Sequence, residues 1–390
     1  MESYFYLILS LLVLAELVKG LSANGTPPVL QRFSWQIDLA YFMWMNIIKF
    51  RIILLLGLVA VLFVMPAEAR SSVFLPAIPF LLIWGFIYWL FNHFWVGRVK
   101  FLPITQKIFA TATENKVDLS IQVLGIDHGG QQKAYPVNMM FYHHQMSDDI
   151  AGTAILPTYC GMCRSGRIYN RTVNGKAPNF MLVGAITFNA ILRDDITGTW
   201  WRQETGEAAK GALKGHVLDD MPFEQMSLEN WLKKYPDSLV LQYDPVFEKK
   251  YNFLAGLLNY EHSLPGWHLQ KTPPLIIGVE VGSTARAYDW DNLAKHQLVE
   301  DEVENTPLLA LADDAASSAF VYSRELEGKT LNFVIEKAVI KDSQTGSEWN
   351  IFGQCIKGKY KGKSLQQLQS YKQFIRAWLS FHPNASFYRF

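Results

Sequence analysis

The texture of the chain changes near residue 100: long apolar runs give way to short ones broken by Gly, Asn and Asp. Residues 4–18 are apolar except for Ser10 and Glu16. As a helix at ~1.5 Å per residue they reach only about 23 Å, short of a hydrocarbon core of ~30 Å. A cleaved signal peptide is one reading, but Met1-Glu2-Ser3 carries no Lys or Arg, so the basic start is missing and a retained helix is expected. Residues 52–65 run uninterrupted and extend back through Ile47 and Ile48, with Lys49 and Arg51 placed to snorkel near one end. Residues 73–96 form the clearest span and close in an aromatic belt of Trp84, Tyr88, Trp89, Phe91, Phe94 and Trp95. The pattern predicts a transmembrane region of about three helices over residues 1–100.

Residues 107–118 read as a short helix or linker. From residue 125 the pattern predicts strands and hairpins, with Asn174-Gly175 as a two-residue turn and a second turn at 194–198 leading into 199–203. Residues 228–235 and 366–381 have helical apolar spacing and stop before Pro236 and Pro383. Residues 278–333 repeat 125–180 without a gap. Ala134-Tyr135 meets Ala287-Tyr288; His143, Asp148 and Thr153 meet His296, Asp301 and Thr306; Tyr169-x-Arg171 meets Tyr322-x-Arg324. After a deletion of five residues, Thr197-Gly198-x-x-Trp201 meets Thr345-Gly346-x-x-Trp349. The expected fold is therefore N-terminal transmembrane α-helices followed by two tandem, homologous β-rich α+β domains. The first covers 101–243, a linker 244–275, and a degenerate second copy 276–390. A period this long is a domain duplication; solenoid repeats are far shorter.

Composition narrows the function. A net charge of +1 supplies no basic stripe for nucleic acid. The hydrophobic fraction of 50% and the 12 Trp fit a chain with a lipid bilayer as one partner. Lys19, Arg32, Lys49 and Arg51 would share a side with Arg98, Lys100 and Lys107, opposite Arg70, so charge leans towards a cytoplasmic soluble part. The 3 cysteines are too few for a disulfide scaffold.

Chemistry is expected where the copies differ. Cys160 faces Asp313, Cys163 faces Ala316, Arg164 faces Ser317 and His144 faces Gln297. The C-x-x-C pair beside Arg164 can hold a soft metal, close a redox disulfide, or be two small buried side chains. Cys160, Cys163 and His144 supply three metal ligands, with His143, water or substrate as a fourth, for zinc, copper or iron. His143 has its match in His296 and also reads as framework. A c-type haem is excluded, because Arg164 stands where attachment needs His. The candidate catalytic residues are Cys160, Cys163 and Arg164; Arg202, Gln203 and Glu207 are candidates for a cofactor pocket. His128, in a Gly-rich turn, and Cys355, without a nearby partner, read as structural. No phosphate loop, nucleophile elbow or H-E-x-x-H helix is present.

Residues from about 100 to 388 resemble the bacterial domain-of-unknown-function family 3179. The motifs that carry the likeness are Ala134-Tyr135-Pro136, His143-His144-Gln145, Thr158-Tyr159-Cys160-x-x-Cys163-Arg164-x-Gly166, Val183-Gly184 and the run from Trp200 to Glu207. The resemblance implies a membrane-anchored protein, and an extracytoplasmic domain against the charge count, but no particular activity. The expected function is a membrane-anchored metal or redox site in the first copy. The alternatives are thiol–disulfide exchange with Cys160 as attacking thiol, and a non-catalytic binding or scaffold protein. Substrate and oligomeric state stay open.

Overall fold

A computed structural model describes residues 1–259, 274–313, 315 and 317–390. Residues 260–273 of the expected linker 244–275, and Ala316, the counterpart of Cys163, lie outside the described residues. The chain forms two compact units: Met1–Leu102 with Asn179–Val217, and Pro103–Pro178 with Leu218–Phe390. Residues 179–217, placed by sequence within a 101–243 domain, pack with the helices.

The first unit opens with three helices long and apolar enough to cross a membrane. They are α1 (Glu2–Ala23), α2 (Gln36–Val64) and α3 (Ala67–Trp89), the last running on as a π-helical turn, Leu90–Phe94. At 22 residues, α1 is roughly 33 Å long at ~1.5 Å per residue, so it outruns its uninterrupted apolar stretch and reaches the thickness of the hydrocarbon. Arg51 does not snorkel. It turns inward and grips Glu16 through Nε (2.5 Å) and Nη2 (2.9 Å), while Asn92 of the π turn donates to the same carboxylate at 3.2 Å. A carboxylate with no exposed surface is costly unless paired, and this pairing ties all three helices together. Lys49 stays exposed. A single turn, α4 (Gly97–Lys100), follows.

A four-stranded antiparallel meander, Phe180–Ile186, Asn189–Asp194, Trp200–Arg202 and Ala208–Lys210, completes this unit. Its apolar face joins Ile37 and Ala40 of α2 in one core with Val183, Ile186, Ile191, Trp200 and Ala209. Trp200 meets Tyr41 and Trp44 edge-on, with centroids 5.3 and 5.8 Å apart. Gly184 is required by proximity: a Cβ there would lie 2.0 Å from the Ala23 carbonyl oxygen. At the hairpin tip, the Phe188 amide donates to Gln31 Oε1 (2.8 Å).

In the second unit one order of elements occurs twice. A hairpin (Gln122–His128, Gln131–Pro136) leads into α5 (Val137–His143) and three antiparallel strands, Asp148–Ile150, Thr153–Cys160 and Ser165–Asn170. Later, a hairpin (Leu275–Val281, Thr284–Asp289) leads into α8 (Trp290–His296) and Leu298–Val303, Thr306–Ala312 and Ala319–Ser323. Registers agree as well: Gly125 pairs with Ala134, and Gly278 with Ala287. Tyr135 donates to Asp148 (2.8 Å) as Tyr288 does to Asp301 (3.0 Å). Both glycines leave room for a Trp of a closing helix: Trp231 of α6 (Leu228–Lys234) over Gly125, Trp378 of α9 (Ile375–Phe381) over Gly278. Trp231, Met226 and Val240 share one core with Leu309, Phe320, Tyr322 and Trp349, so the halves fold around a common interior.

Two local expectations change. Residues 107–118 contain no helix; Phe109–Ala110 pairs with Leu239–Leu241 as a sheet edge. The helical spacing over 366–381 mixes two structures, because Ser370–Phe374 is a strand and only α9 is helical. Asn174 and Gly175 take the positive φ, 51° and 72°, that their two-residue turn demands. An amphipathic helix, α7 (Glu248–Asn259), packs on α5.

Candidate functional site

The two cysteines sit at the end of the hairpin Thr153–Cys160/Ser165–Asn170, with Cys160 paired to Ser165. The connection 161–164 is a tight turn in which the Cys163 amide donates to the Cys160 carbonyl at 3.1 Å. Arg164 then takes a left-handed conformation, φ 58°, the step that returns a type I turn to its partner strand. Non-glycine residues rarely adopt it, and strain of this kind concentrates at functional sites. Gly161 is forced by α5, since a Cβ there would come within 2.5 Å of the Phe141 ring.

Both sulfurs are free thiols and nearly inaccessible, at 2% exposure for Cys160 and 1% for Cys163. An i to i+3 turn keeps its end Cα atoms within about 7 Å, the span that a disulfide bridges. Tyr159, the residue before Cys160, bonds through its hydroxyl to Arg164. Burial pushes this phenol up to about 12; Arg164 opposes the rise and the two thiols add to it. The turn thus joins two thiols, a guanidinium and a neutral phenol.

The second half reaches this turn. The Phe374 amide donates to the Cys163 carbonyl at 2.8 Å. The Arg164 guanidinium lies 5.8 Å from the Phe374 ring centre, and Arg167 lies 3.4 Å from that of Tyr371. Of Tyr159, Arg167, Tyr371 and Phe374, only Tyr159 belongs to a motif read from the sequence. Arg167 carries a signal, because strand alternation puts it on the face of Cys160, two residues beyond that residue's partner Ser165. For Tyr371 and Phe374 there is none, since the contact joins segments some two hundred residues apart.

The expected three-ligand centre is not assembled. Among the described residues, no three His, Cys, Asp or Glu side chains gather where they could hold a metal ion. His144 caps α5 in the left-handed region (φ 65°), accepts the Tyr159 amide on its carbonyl (2.9 Å), and holds Nδ1 3.3 Å from the Tyr142 carbonyl. Gln297 caps α8 the same way (φ 61°) and accepts the Ala312 amide at 2.8 Å, so this position has a backbone task in both halves. His143 packs among aromatics: its Nε2 is 2.5 Å from the Tyr251 hydroxyl of α7, and Phe247 meets its ring edge-on at 5.2 Å. His296, its counterpart, is exposed and leans on Phe390, so the shared histidine is not a shared framework contact.

Arg202, Gln203 and Glu207 belong to the other compact unit. Arg202 pairs with Glu207 at 3.3 Å across the turn between their strands. Gln203 is fully buried and accepts a hydrogen bond from Asn189 at 2.9 Å. In place of Cys160, the second half has Asp313, whose carboxylate accepts the amides of Ser317 (2.6 Å) and Ser318 (2.9 Å) and the side-chain amide of Asn230 (2.8 Å). One half has a thiol turn; the other has a carboxylate-capped turn.

Three apolar helices ahead of a β-rich α+β region define a membrane protein with a buried dithiol turn. Residues 102–385 match the family described as protein of unknown function DUF3179, and the chain belongs to that family. No curated protein and no solved structure matches it.

Proposed function

We propose that the chain is a membrane-anchored thiol-redox protein in which Cys160 and Cys163 cycle between dithiol and disulfide. The observation that carries this reading is the single turn holding both free thiols beside Arg164. A guanidinium favours thiolate over thiol. The Cys160 thiolate attacks one sulfur of a low-molecular-weight disulfide, and the departing thiolate takes up a proton. Cys163 loses its proton and attacks the Cys160 sulfur of the mixed disulfide, expelling the second thiolate, which is protonated in turn. Two thiols are oxidised, one disulfide is reduced, and two protons move with two electrons. Burial of both sulfurs favours a small acceptor. The repeated element order and registers support an origin by duplication, after which one copy lost its thiols.

The test uses full-length protein in lipid nanodiscs, equilibrated with glutathione buffers of graded potential, quenched by alkylation and weighed. The expected result is a two-electron transition between triply and singly alkylated protein, with Cys355 labelled in both, abolished by Cys160→Ser and by Cys163→Ser. Independent alkylation of each thiol at every potential overturns the reading, as does stoichiometric zinc, copper or iron that protects both thiols until it is chelated.

A further inference from the structure

Each half of the second unit is finished by a strand that runs straight into a helix, Glu224–Ser227 into α6 and Ser370–Phe374 into α9. Ser227 and Phe374 occupy equivalent places, each capping the helix that follows. The two junctions exchange partners. The Ser227 amide donates to Ser318 Oγ (3.2 Å) and Asn230 donates to Asp313 (2.8 Å), so the first half holds the second half's turn. The Phe374 amide donates to the Cys163 carbonyl (2.8 Å), so the second half holds the thiol turn. Among the described residues, this second grip is the one that brings aromatic faces to guanidinium groups, Phe374 to Arg164 and Tyr371 to Arg167. Tyr371 is itself tied down by donating its hydroxyl to Asp220 at 3.3 Å.

We infer that Phe374 and Tyr371, from the half without the thiol pair, are positioning residues of the thiol site, seating Arg164 and Arg167 and thereby setting how readily the dithiol ionises and oxidises. This rests on the redox reading above. A guanidinium within ~6 Å of a ring centre is held by the ring's negative face. Held there, Arg164 keeps its charge on the turn that carries both thiols, buried where solvent screens it little. Without the ring it loses one of its holds, shifts on its bond to Tyr159, and stabilises the thiolate less. The backbone bond from Phe374 fixes the Cys163 carbonyl, and with it the turn that puts Arg164 into its left-handed conformation. A half stripped of the pair is thus still needed, because it closes the site its sibling carries.

The experiment compares Phe374→Leu, Tyr371→Leu and Tyr371→Phe in full-length protein in phosphatidylcholine nanodiscs. All three keep the backbone bond. The leucine variants remove a ring, and Tyr371→Phe removes only the bond to Asp220. Two quantities are read: the pH midpoint of alkylation of Cys160 and Cys163 by iodoacetamide, separated from Cys355 by peptide mass, and the reduction potential of the pair. In each leucine variant the midpoint is expected to rise by roughly half a unit to one unit, the scale of one cation–π contact, and the pair to become more reducing. Tyr371→Phe is expected to match the unmodified protein in both. A purely structural role for the rings would lower the melting temperature of the leucine variants and leave midpoint and potential in place; that result overturns the inference. If the unmodified pair never oxidises, the redox reading fails instead, and the alkylation midpoints still decide whether the rings act on the thiols. Should Phe374→Leu not fold, the two Tyr371 variants make the same comparison.

Discussion

Replacing Trp200 with Ala tests why the meander 179–217 belongs with the helices. Trp200 is 1% exposed, and removing a buried Trp costs about 3–5 kcal/mol. Its edge-on contacts with Tyr41 and Trp44 contribute roughly 0.5–1.5 kcal/mol each beyond the area they bury, so about 1–3 kcal/mol of the loss falls on the seam with α2. At ~1.4 kcal/mol per factor of ten, the open form of the meander should become some hundredfold more populated or more. Limited trypsin digestion in nanodiscs measures this, because cleavage tracks the open population when reclosing is fast. Cleavage at Arg193, Arg202 and Lys210 should accelerate by about two orders of magnitude, with sites in 275–390 unaffected. A cycle combining Trp200→Ala with Trp44→Ala should return a coupling of about 1 kcal/mol. Unchanged protection, or no coupling to either Tyr41 or Trp44, would refute docking through this side chain. The corresponding strand of the second half has Glu348 at this place, paired with Lys357 at 3.1 Å.

Arg51→Met should destabilise the helices by about 3–5 kcal/mol, because it leaves Glu16 buried without its guanidinium. The double variant Glu16→Leu/Arg51→Met should recover most of that loss; thermal unfolding in nanodiscs decides, and a double variant no better than the single removes the ion-pair account. Stability should also fall in acid through Asp194 and Asp342. Burial raises both carboxyls, yet bonds from Trp201 and Thr197 on one, and from Trp349, Thr345 and Ser347 on the other, outweigh it and hold each below its ordinary value. Because the folded values are depressed, this stabilisation is present above the unfolded carboxylate range near pH ~4 and is lost as pH falls through the folded values. Trp349→Phe removes one donor (3.1 Å) and should shrink the acid-labile part, read as circular dichroism between about pH 6 and 2. Identical acid profiles for Trp349→Phe and the unmodified protein count against it.

The strong local periodicities were legible. Three apolar runs became three long helices, and Asn174-Gly175 became a turn with both residues at positive φ. Residues whose role depends on a distant partner were not. Arg51 looked like a snorkelling cation until Glu16, on another helix, supplied a buried carboxylate. His144 looked like a ligand because chemistry and spacing allowed it, but a helix end needing a left-handed cap outranked the ring. The stretch 366–381 misled in another way: its apolar positions serve a strand and then a helix, and helical spacing alone does not reveal the change at Phe374.

The differences between the halves therefore have more than one physical origin, and only part of them bears on chemistry. Trp200 and the longer hairpin ending at Phe188 belong to the half whose meander lies against membrane helices, and their contacts there account for them. Arg202 and Glu207 close the end of the same meander. What such docking leaves unexplained includes one turn: Cys160, Cys163 and a left-handed Arg164, where the other half uses a carboxylate to cap its own backbone. A backbone that needs only a cap is served by Asp313, and it is served without strain on an arginine or burial of two thiols. Two buried thiols and a left-handed arginine in the first half, under a grip from the second, are the features on which the proposed redox reading rests.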